Sequence, residues 1–424
     1  MERIVSEEIT KHFTKNDLFT KEQHGFIKGK KCTTNLLETL DEITFELSQG
    51  NSIDVLYTDM AKAFDTVSHT KLLIKTQAYG IGYLIINWLS SFLTGRTQRV
   101  VMGESASVWL EIKRGVPQGS VLGPLLFLIY INDLPEVVDN STKLYADDNK
   151  NFQIVNTISD SVRMQNNINE LCKWSNDWQI DFNISKCKVM HFGKNNNKFE
   201  YIMCTNEEEK TLMKTKLERD VGVYISDELN WDYQIQEVTS KANKKLGWLS
   251  RAFTYKDIHI MKILYCTFVR PLLEFAVPVW SPNFEKQVDI LERVQRRATK
   301  LIPSIRHFSY DDRLKAIGIM SLRKRRLRGD LIQQYKIFHK IDMVKWYNEP
   351  HFAPSLLCSG PASNIRGHKA RMEVEDIVHF EKRRNFFTNR ICEHWNKLPH
   401  STVFAKSVNS FKARLDDYLE NLDV

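Results

Sequence analysis

Two adjacent aspartates, Asp147 and Asp148, interrupt the stretch KLYADDNK at the tip of a strand–turn–strand pattern, TKLYADDNKNFQIV. Neighbouring carboxylates repel each other and are costly to bury without a cation or donors around them. A second acidic stretch, TDMAKAFDTVSH, carries Asp59 and Asp65. Asp59 closes SIDVLYTD (52–59), a nearly continuous apolar, β-branched run that reads as a buried strand. Sites in sheet proteins open at such strand ends. Asp65 stands just before TVSHTKLLIK and suits a helix N-cap, so Asp59 is the functional candidate. Carboxylate oxygens suit hard divalent cations, and Asp59 and Asp147 can converge on them if their strands are neighbours in one sheet. Successive residues on a strand face opposite ways, so Asp147 and Asp148 are unequal partners for Asp59. A solvated acidic turn beside an unrelated helix cap is the alternative reading of these fragments.

The elements that must position these groups follow from periodicity. Residues 1 to about 50 read as helices broken at HGFIKGKKC, and residues 66–93 as two helical pieces divided at YGIGY. RVVMGESASVWLEIKRG (99–115) reads as a hairpin turning near Gly103 and Ser105. Ser120 to Leu134 is an apolar helix too short to span a bilayer, and a further helix covers about 158–177. Strands follow in WQIDFNISKCKVMHFG and around VGVYIS. Beyond about residue 240 the chain turns helical and basic. KQVDILERVQRRATKLI (286–302) sets Val288, Leu291, Val294, Ala298 and Leu301 on one face and Arg293, Arg296, Arg297 and Lys300 on another. YNEPHFAPSLLCSGPASN (347–364) is loop-like.

Composition bounds the rest. At 424 residues, with 42% hydrophobic and 11% aromatic content, the chain holds two or three domains and can bury a core. Its start, MERIVSEEITKHFTKND, is charged throughout and unlike a secretory signal. Seven cysteines without a C-x-x-C pair point to reduced thiols in an intracellular protein, in nucleus or cytoplasm, rather than to a disulfide frame or zinc module. The net charge of +8 is concentrated: between Lys286 and Lys340, fifteen Lys or Arg face five Asp or Glu. Such a block suits a polyanion such as nucleic acid, with a solvated helix face as the alternative. RKRRLR (323–328) reads equally as a nuclear signal or as phosphate contacts.

Taken in order, QHGFIKGKKCTTNLL (23–37), DMAKAFDTVSH (59–69), RGVPQGSVLGPLLFLIYINDLP (114–135), YADD (145–148), WQIDFNISKCKVMHF (178–192) and VGVYISDELNW (221–231) resemble the reverse transcriptases of non-LTR retrotransposons, of the Jockey and CR1 kind. VRPLLEFAVPVWSP (269–282), LERVQRRATKLI (291–302) and RNFFTNRICEHWNKLP (384–399) resemble that group's thumb and C-terminal tail. A lone YADD is weak evidence; the ordered set is specific.

The resemblance implies an α+β, right-hand polymerase: fingers and palm, with an antiparallel palm sheet, over 1–240; a basic helical thumb over 241–345; a linker and helical tail over 346–424. It implies RNA-directed DNA synthesis from dNTPs on a primer and template RNA, with no membrane role. Two Mg²⁺ ions, replaceable by Mn²⁺, would be held by Asp59, Asp147, Asp148 and the Met60 carbonyl. Phe64 would sit under the incoming sugar as a gate against a 2′-OH, with a core phenylalanine as the alternative. Gln118 and Gly119 would meet the template–nucleotide pair, and Lys186 the leaving pyrophosphate. Lys28 and Lys30, near Lys31, would meet the triphosphate, although Ile27 and Lys30 stand where relatives commonly carry arginine and lysine lacks the bidentate fork. Arg293, Arg296, Arg297 and Lys300 would track the duplex backbone. The start at MERIV implies an N-terminally truncated copy with incomplete fingers and no endonuclease domain. A truncated fragment that binds RNA without catalysis is the competing reading, and a group II intron maturase a more distant one.

Overall fold

The computed structural model describes residues 1–204, 209–352, 368–377 and 380–420. The chain forms two compact units: residues 1–35 with 50–216, and residues 36–49 with 217–424. Most of the loop expected over 347–364 lies outside the described residues.

The first unit opens with helix α1 (Glu2–Lys15) and the start of α2 (Cys32–Ser48), followed by strand β1 (Ile53–Thr58). Short helix α3 (Ala63–Thr66), α4 (His69–Ala78) and α5 (Tyr83–Leu93) come next, the last two meeting at Gly80–Gly82. A narrow ribbon holds β2 (Thr97–Gln98), β3 (Val101–Met102), β4 (Ser105–Ala106) and β5 (Leu110–Glu111). Helix α6 (Leu122–Ile131), the hairpin β6 (Ser141–Tyr145) and β7 (Asp148–Ile154), helix α7 (Ile158–Trp178) and β8 (Lys188–Phe192) build the centre. β9 (Ile202–Cys204), β10 (Glu209–Thr211) and β11 (Met213–Thr215) complete it. The main sheet has the order β11-β8-β1-β7-β6 and is antiparallel except at β11, which lies parallel to β8. β1 is central and almost wholly buried, as its apolar run requires. Leu56, Leu144 and Val189 of the sheet share one core with Leu126 and Phe127 of α6 and Met164, Ile168 and Leu171 of α7. α7 starts on a capping box, Thr157 with Asp160, which fixes its entry.

The second unit holds residues 36–49 of α2, the ribbon β12 (Leu217–Asp220) with β13 (Val223–Ser226), and helices α8 (Asp232–Ala252), α9 (Ile258–Leu264) and α10 (Arg270–Glu274). α11 (Glu285–Lys300), α12 (Tyr310–Ile317) and α13 (Leu322–Phe338) follow, then α14 (Glu381–Arg384), α15 (Phe387–Asn396), α16 (His400–Val403) and α17 (Val408–Glu420). Trp280, Leu331, Tyr335, Trp395 and Phe411 are buried at its centre. Among the described residues no helix is long and apolar enough to cross a membrane.

Candidate active site and nucleic-acid face

β1 pairs with β7 so that Tyr57 faces Lys150 and Thr58 faces Asn149, which carries Asp59 to the end of the sheet where the β6–β7 turn lies. Tyr145 pairs with Asp148, so the turn itself is Ala146–Asp147. Asp147 is half-buried. Burial, then the negative charge of Asp59, push its carboxyl above the usual carboxylate range, while Lys186 pulls the other way. Asp148 is exposed at the first position of β7, and its charge acts on the Tyr145 phenol. The structure therefore brings Asp59 and Asp147 together, with Asp148 next to them on the exposed first position of β7.

Lys186 Nζ stands 3.2 Å from Asp59 Oδ2, with the two side chains 64% and 37% exposed. NISK is stitched to the strand end by backbone: Asn183 N–H donates to the Asp59 carbonyl at 2.8 Å, and Lys186 N–H to the Asn183 carbonyl at 2.9 Å. Met60 bridges Phe182, but the bonds flanking that bridge are made by Ala61 and Asn183, so the bridge does not use the Met60 carbonyl.

This donor set can be tested against a divalent metal. Two carboxylates converge, one held above its ordinary pKa partly by the other, and an ammonium group lies against the second. Among the described residues no cluster of three or more His, Cys, Asp or Glu side chains makes a complete metal shell. Magnesium commonly takes one or two protein carboxylates and fills its shell with water and substrate phosphates, so Asp59, Asp147 and the Met60 carbonyl fit it.

The reading of Asp65 as an N-cap is corrected. Asp65 lies inside α3, whose N-cap is Lys62, and α4 begins from Ser68. The Asp65 carboxylate instead accepts a hydrogen bond from Gln118 Nε2 at 2.8 Å. The GVPQG loop docks on this segment: Gly115 N–H donates to the Val67 carbonyl and Val116 N–H to the Phe64 carbonyl, each at 2.8 Å. A side chain at Gly115 would come within 2.8 Å of the Asp65 carbonyl, and its φ of +90° also favours glycine. Gly119, with φ +81°, has open space around it. Phe64 is half-buried, stacked on Phe127 with ring centroids 4.4 Å apart. Lys28 is exposed on the turn before α2, and the Lys30 ammonium donates to the Lys21 carbonyl.

A family model described as "Reverse transcriptase (RNA-dependent DNA polymerase)" matches residues 1–234, more than half of the chain. The chain belongs to the reverse transcriptase family. Its fold is accordingly the α+β, right-hand polymerase class that the ordered motifs implied. It is 22% identical over 324 residues to the probable RNA-directed DNA polymerase from transposon BS of Drosophila melanogaster, covering 71% of this chain and 34% of that protein. It is 25% identical over 294 residues to the RNA-directed DNA polymerase from mobile element jockey of Drosophila funebris, covering 66% and 31%. The Jockey-like resemblance thus holds, and the chain spans about a third of the length of these relatives. A telomerase structure from Candida tropicalis aligns with 80% of this chain and 54% of its own at 12% identity, with a TM-score of only 0.43.

The cationic residues of the second unit divide into two sets. On α11, Leu291, Val294 and Ala298 are buried, and Arg293, Arg296, Arg297 and Lys300 are exposed. Arg297 Nη1 donates to Asn243 of α8 at 3.0 Å, which joins the two helices. α8 adds exposed Lys241, Lys244, Lys245 and Trp248 at helical spacing, with Lys245 Nζ 5.5 Å from the Trp248 ring centre. That spacing was visible in KANKKLGW but was hidden behind the denser charge further on.

Much of the denser charge is taken up by partners within the unit. Arg325 forks onto Glu274 with both bonds at 2.7 Å, and Arg328 pairs with Asp416. Arg326, buried, stacks on Trp280 and donates to the Leu273 and Trp280 carbonyls. Arg323 pairs with Glu285, and Arg313 is buried against Thr299. The exposed candidates of α11 thus have neighbours of the same sign on α8, whereas several arginines of the 286–340 block are held in ion pairs. RKRRLR is a packing element of α13.

Proposed function

We propose that this chain carries the polymerase site of an RNA-directed DNA polymerase, adding dNTPs to a primer 3′-OH on an RNA template. The observation that carries the proposal is the convergence of Asp59 and Asp147 at one end of the sheet, with Lys186 beside them. We read residues 1–240 as fingers and palm, 241–345 as thumb and 346–424 as linker and tail, in an intracellular protein of nucleus or cytoplasm.

Asp59, Asp147 and the Met60 carbonyl would hold Mg²⁺, or Mn²⁺ in its place, with Asp148 contributing charge from the rim. When bound, two such ions supply Lewis acidity and neutralise phosphate charge for an in-line displacement. Lys186 holds a proton at Nζ within reach of the pair, positioned for the leaving pyrophosphate. Gln118, its amide nitrogen fixed on Asp65, presents its oxygen to the nascent base pair beside Gly119. Phe64, braced by Phe127, lies under the sugar and excludes a 2′-OH by repulsion. Lys28 and Lys30 supply point charge for the triphosphate. The α8–α11 face carries the template–primer duplex.

The test is primer extension on RNA by the purified chain with Mg²⁺ and then Mn²⁺. Asp59→Asn and Asp147→Asn should each lower the rate by roughly a thousandfold or more with RNA binding retained. A wild-type chain that binds RNA and extends nothing under either metal would favour the non-catalytic reading.

A further inference from the structure

The turn that carries Asp147 has an unusual first residue. Ala146 has φ +53°, the left-handed region that a residue with a Cβ occupies at a cost. The two-residue loop between β6 and β7 calls for a positive φ at this position, which an alanine meets only at a steric cost.

A partner for it comes from QHGF, a stretch that the proposed chemistry has not used. Glu22 and His24 pair with β6 through backbone: Leu144 N–H donates to the Glu22 carbonyl at 3.0 Å, and His24 N–H to the Leu144 carbonyl at 2.9 Å. Gln23 lies between them, bridged to Leu144 in parallel and 3% exposed. Its side-chain oxygen accepts from Ala146 N–H at 2.8 Å and from Gly25 N–H at 2.7 Å, and its nitrogen donates to the Ala146 carbonyl at 3.3 Å. One buried amide thus serves both backbone groups of the strained residue. Gly25 closes the cradle: a Cβ there would stand 2.4 Å from Ala146 N, a contact with backbone that cannot turn aside.

We propose that Gln23 is a positioning residue for the polymerase reaction, holding the Ala146 peptide left-handed so that the next residue, Asp147, faces Asp59. This inference rests on the proposed polymerase reading for its consequence in activity, but its geometric content is independent of it. Without the amide, both Ala146 backbone groups lose their partner, the hairpin alone holds the strained peptide, and the following carboxylate is less firmly set. The loss belongs to kcat and to metal dependence, because Gln23 is buried and its amide is spent on the Ala146 peptide and Gly25.

The experiment compares wild type, Gln23→Met, which keeps bulk and removes the hydrogen bonds, and Gln23→Glu, which keeps an acceptor for both N–H groups. Hydrogen exchange at the Ala146 and Gly25 amides is read alongside extension kinetics, thermal unfolding and the thermal shift on adding Mn²⁺. Gln23→Met should unfold as one folded species, exchange both amides at least tenfold faster and lose most of the Mn²⁺ shift. Its kcat should fall about 10- to 100-fold with KM for dNTP little changed, and Gln23→Glu should recover part of each effect. Equal exchange and an equal Mn²⁺ shift in wild type and Gln23→Met would overturn the inference. Should the wild-type chain itself extend no primer, the polymerase reading fails, and the exchange and metal-shift results still decide the cradle.

Discussion

Asp147 shows how a site can work against the fold that holds it. Its folded pKa is raised, chiefly by burial and then by Asp59. A carboxyl of that kind favours the folded state below its unfolded pKa, and that contribution is lost as pH rises through the folded value. Metal-free Asp147→Asn should therefore melt above wild type at about pH 7, with the gap closing towards about pH 4. Added Mg²⁺ should raise the melting temperature of wild type and leave the variant unmoved. A variant less stable than wild type at neutral pH would show that the carboxylate is a structural partner instead. Asp65 makes the opposite case. Because it holds Gln118 rather than capping a helix, Asp65→Asn should change stability little. The new amide can turn either end towards Gln118, so nucleotide misincorporation should rise while the melting temperature stays within a few degrees. Phe64→Val removes a ring that is both packed and half-exposed. It should cost about 1–3 kcal/mol in denaturant titrations and raise the rNTP-to-dNTP incorporation ratio. Unchanged sugar selectivity in a destabilised variant would leave Phe64 as core.

Elements explain which parts of this arrangement were legible in the sequence. β1 announced itself because a central strand is buried on both faces, and its length brought Asp59 to the sheet end. The β6–β7 hairpin and both long helices flanking it followed from ordinary periodicity. Gln23 and Gly25 stood in a recognisable motif but their role did not show, since it lies in pairing with a turn more than a hundred residues later in the chain. Asp65 misled because a carboxylate before a helical pattern is the usual sign of a cap, and its real partner, Gln118, is equally remote in sequence. Charge density misled for a different reason: a helix can point arginines inward when carboxylates and carbonyls receive them, as α13 does. The duplex face should therefore respond to α8 and α11. Replacing Lys244 and Arg297 by Gln should flatten the log–log salt slope of RNA–DNA duplex binding by roughly 1.5 units. The same measurement on Arg325→Gln should show a loss of fold rather than a change of slope, because that guanidinium forks onto Glu274.

At the scale of the molecule, the second unit is not continuous in the chain, since it takes residues 36–49 from α2. Its buried anchor is Arg383, which is fully buried with Asp41 at 2.6 Å and Glu375 at 2.6 Å. Asp41 also accepts from the Tyr347 and Asn348 amides, and burial raises its carboxyl although Arg383 opposes the shift. Arg383→Ala strands that carboxylate and should destabilise the second unit by about 3–5 kcal/mol in denaturant titrations. The deficit should shrink in acid, where Asp41 takes up a proton and no longer needs its partner.

The same pairing has a consequence for how the protein is made. Asp41 and Arg383 are 342 residues apart, so a ribosome working at about 5–20 residues per second finishes the second roughly 17–70 s after the first. Throughout that interval the acidic side of α2 has no arginine to receive. Glu38, Asp41, Glu42 and Glu46 are all buried once folding is complete, and in an unfolded chain carboxylates at neutral pH are charged and favour water. The carboxylate that Arg383 receives in the finished unit thus sits in a segment whose charge favours water until that arginine arrives.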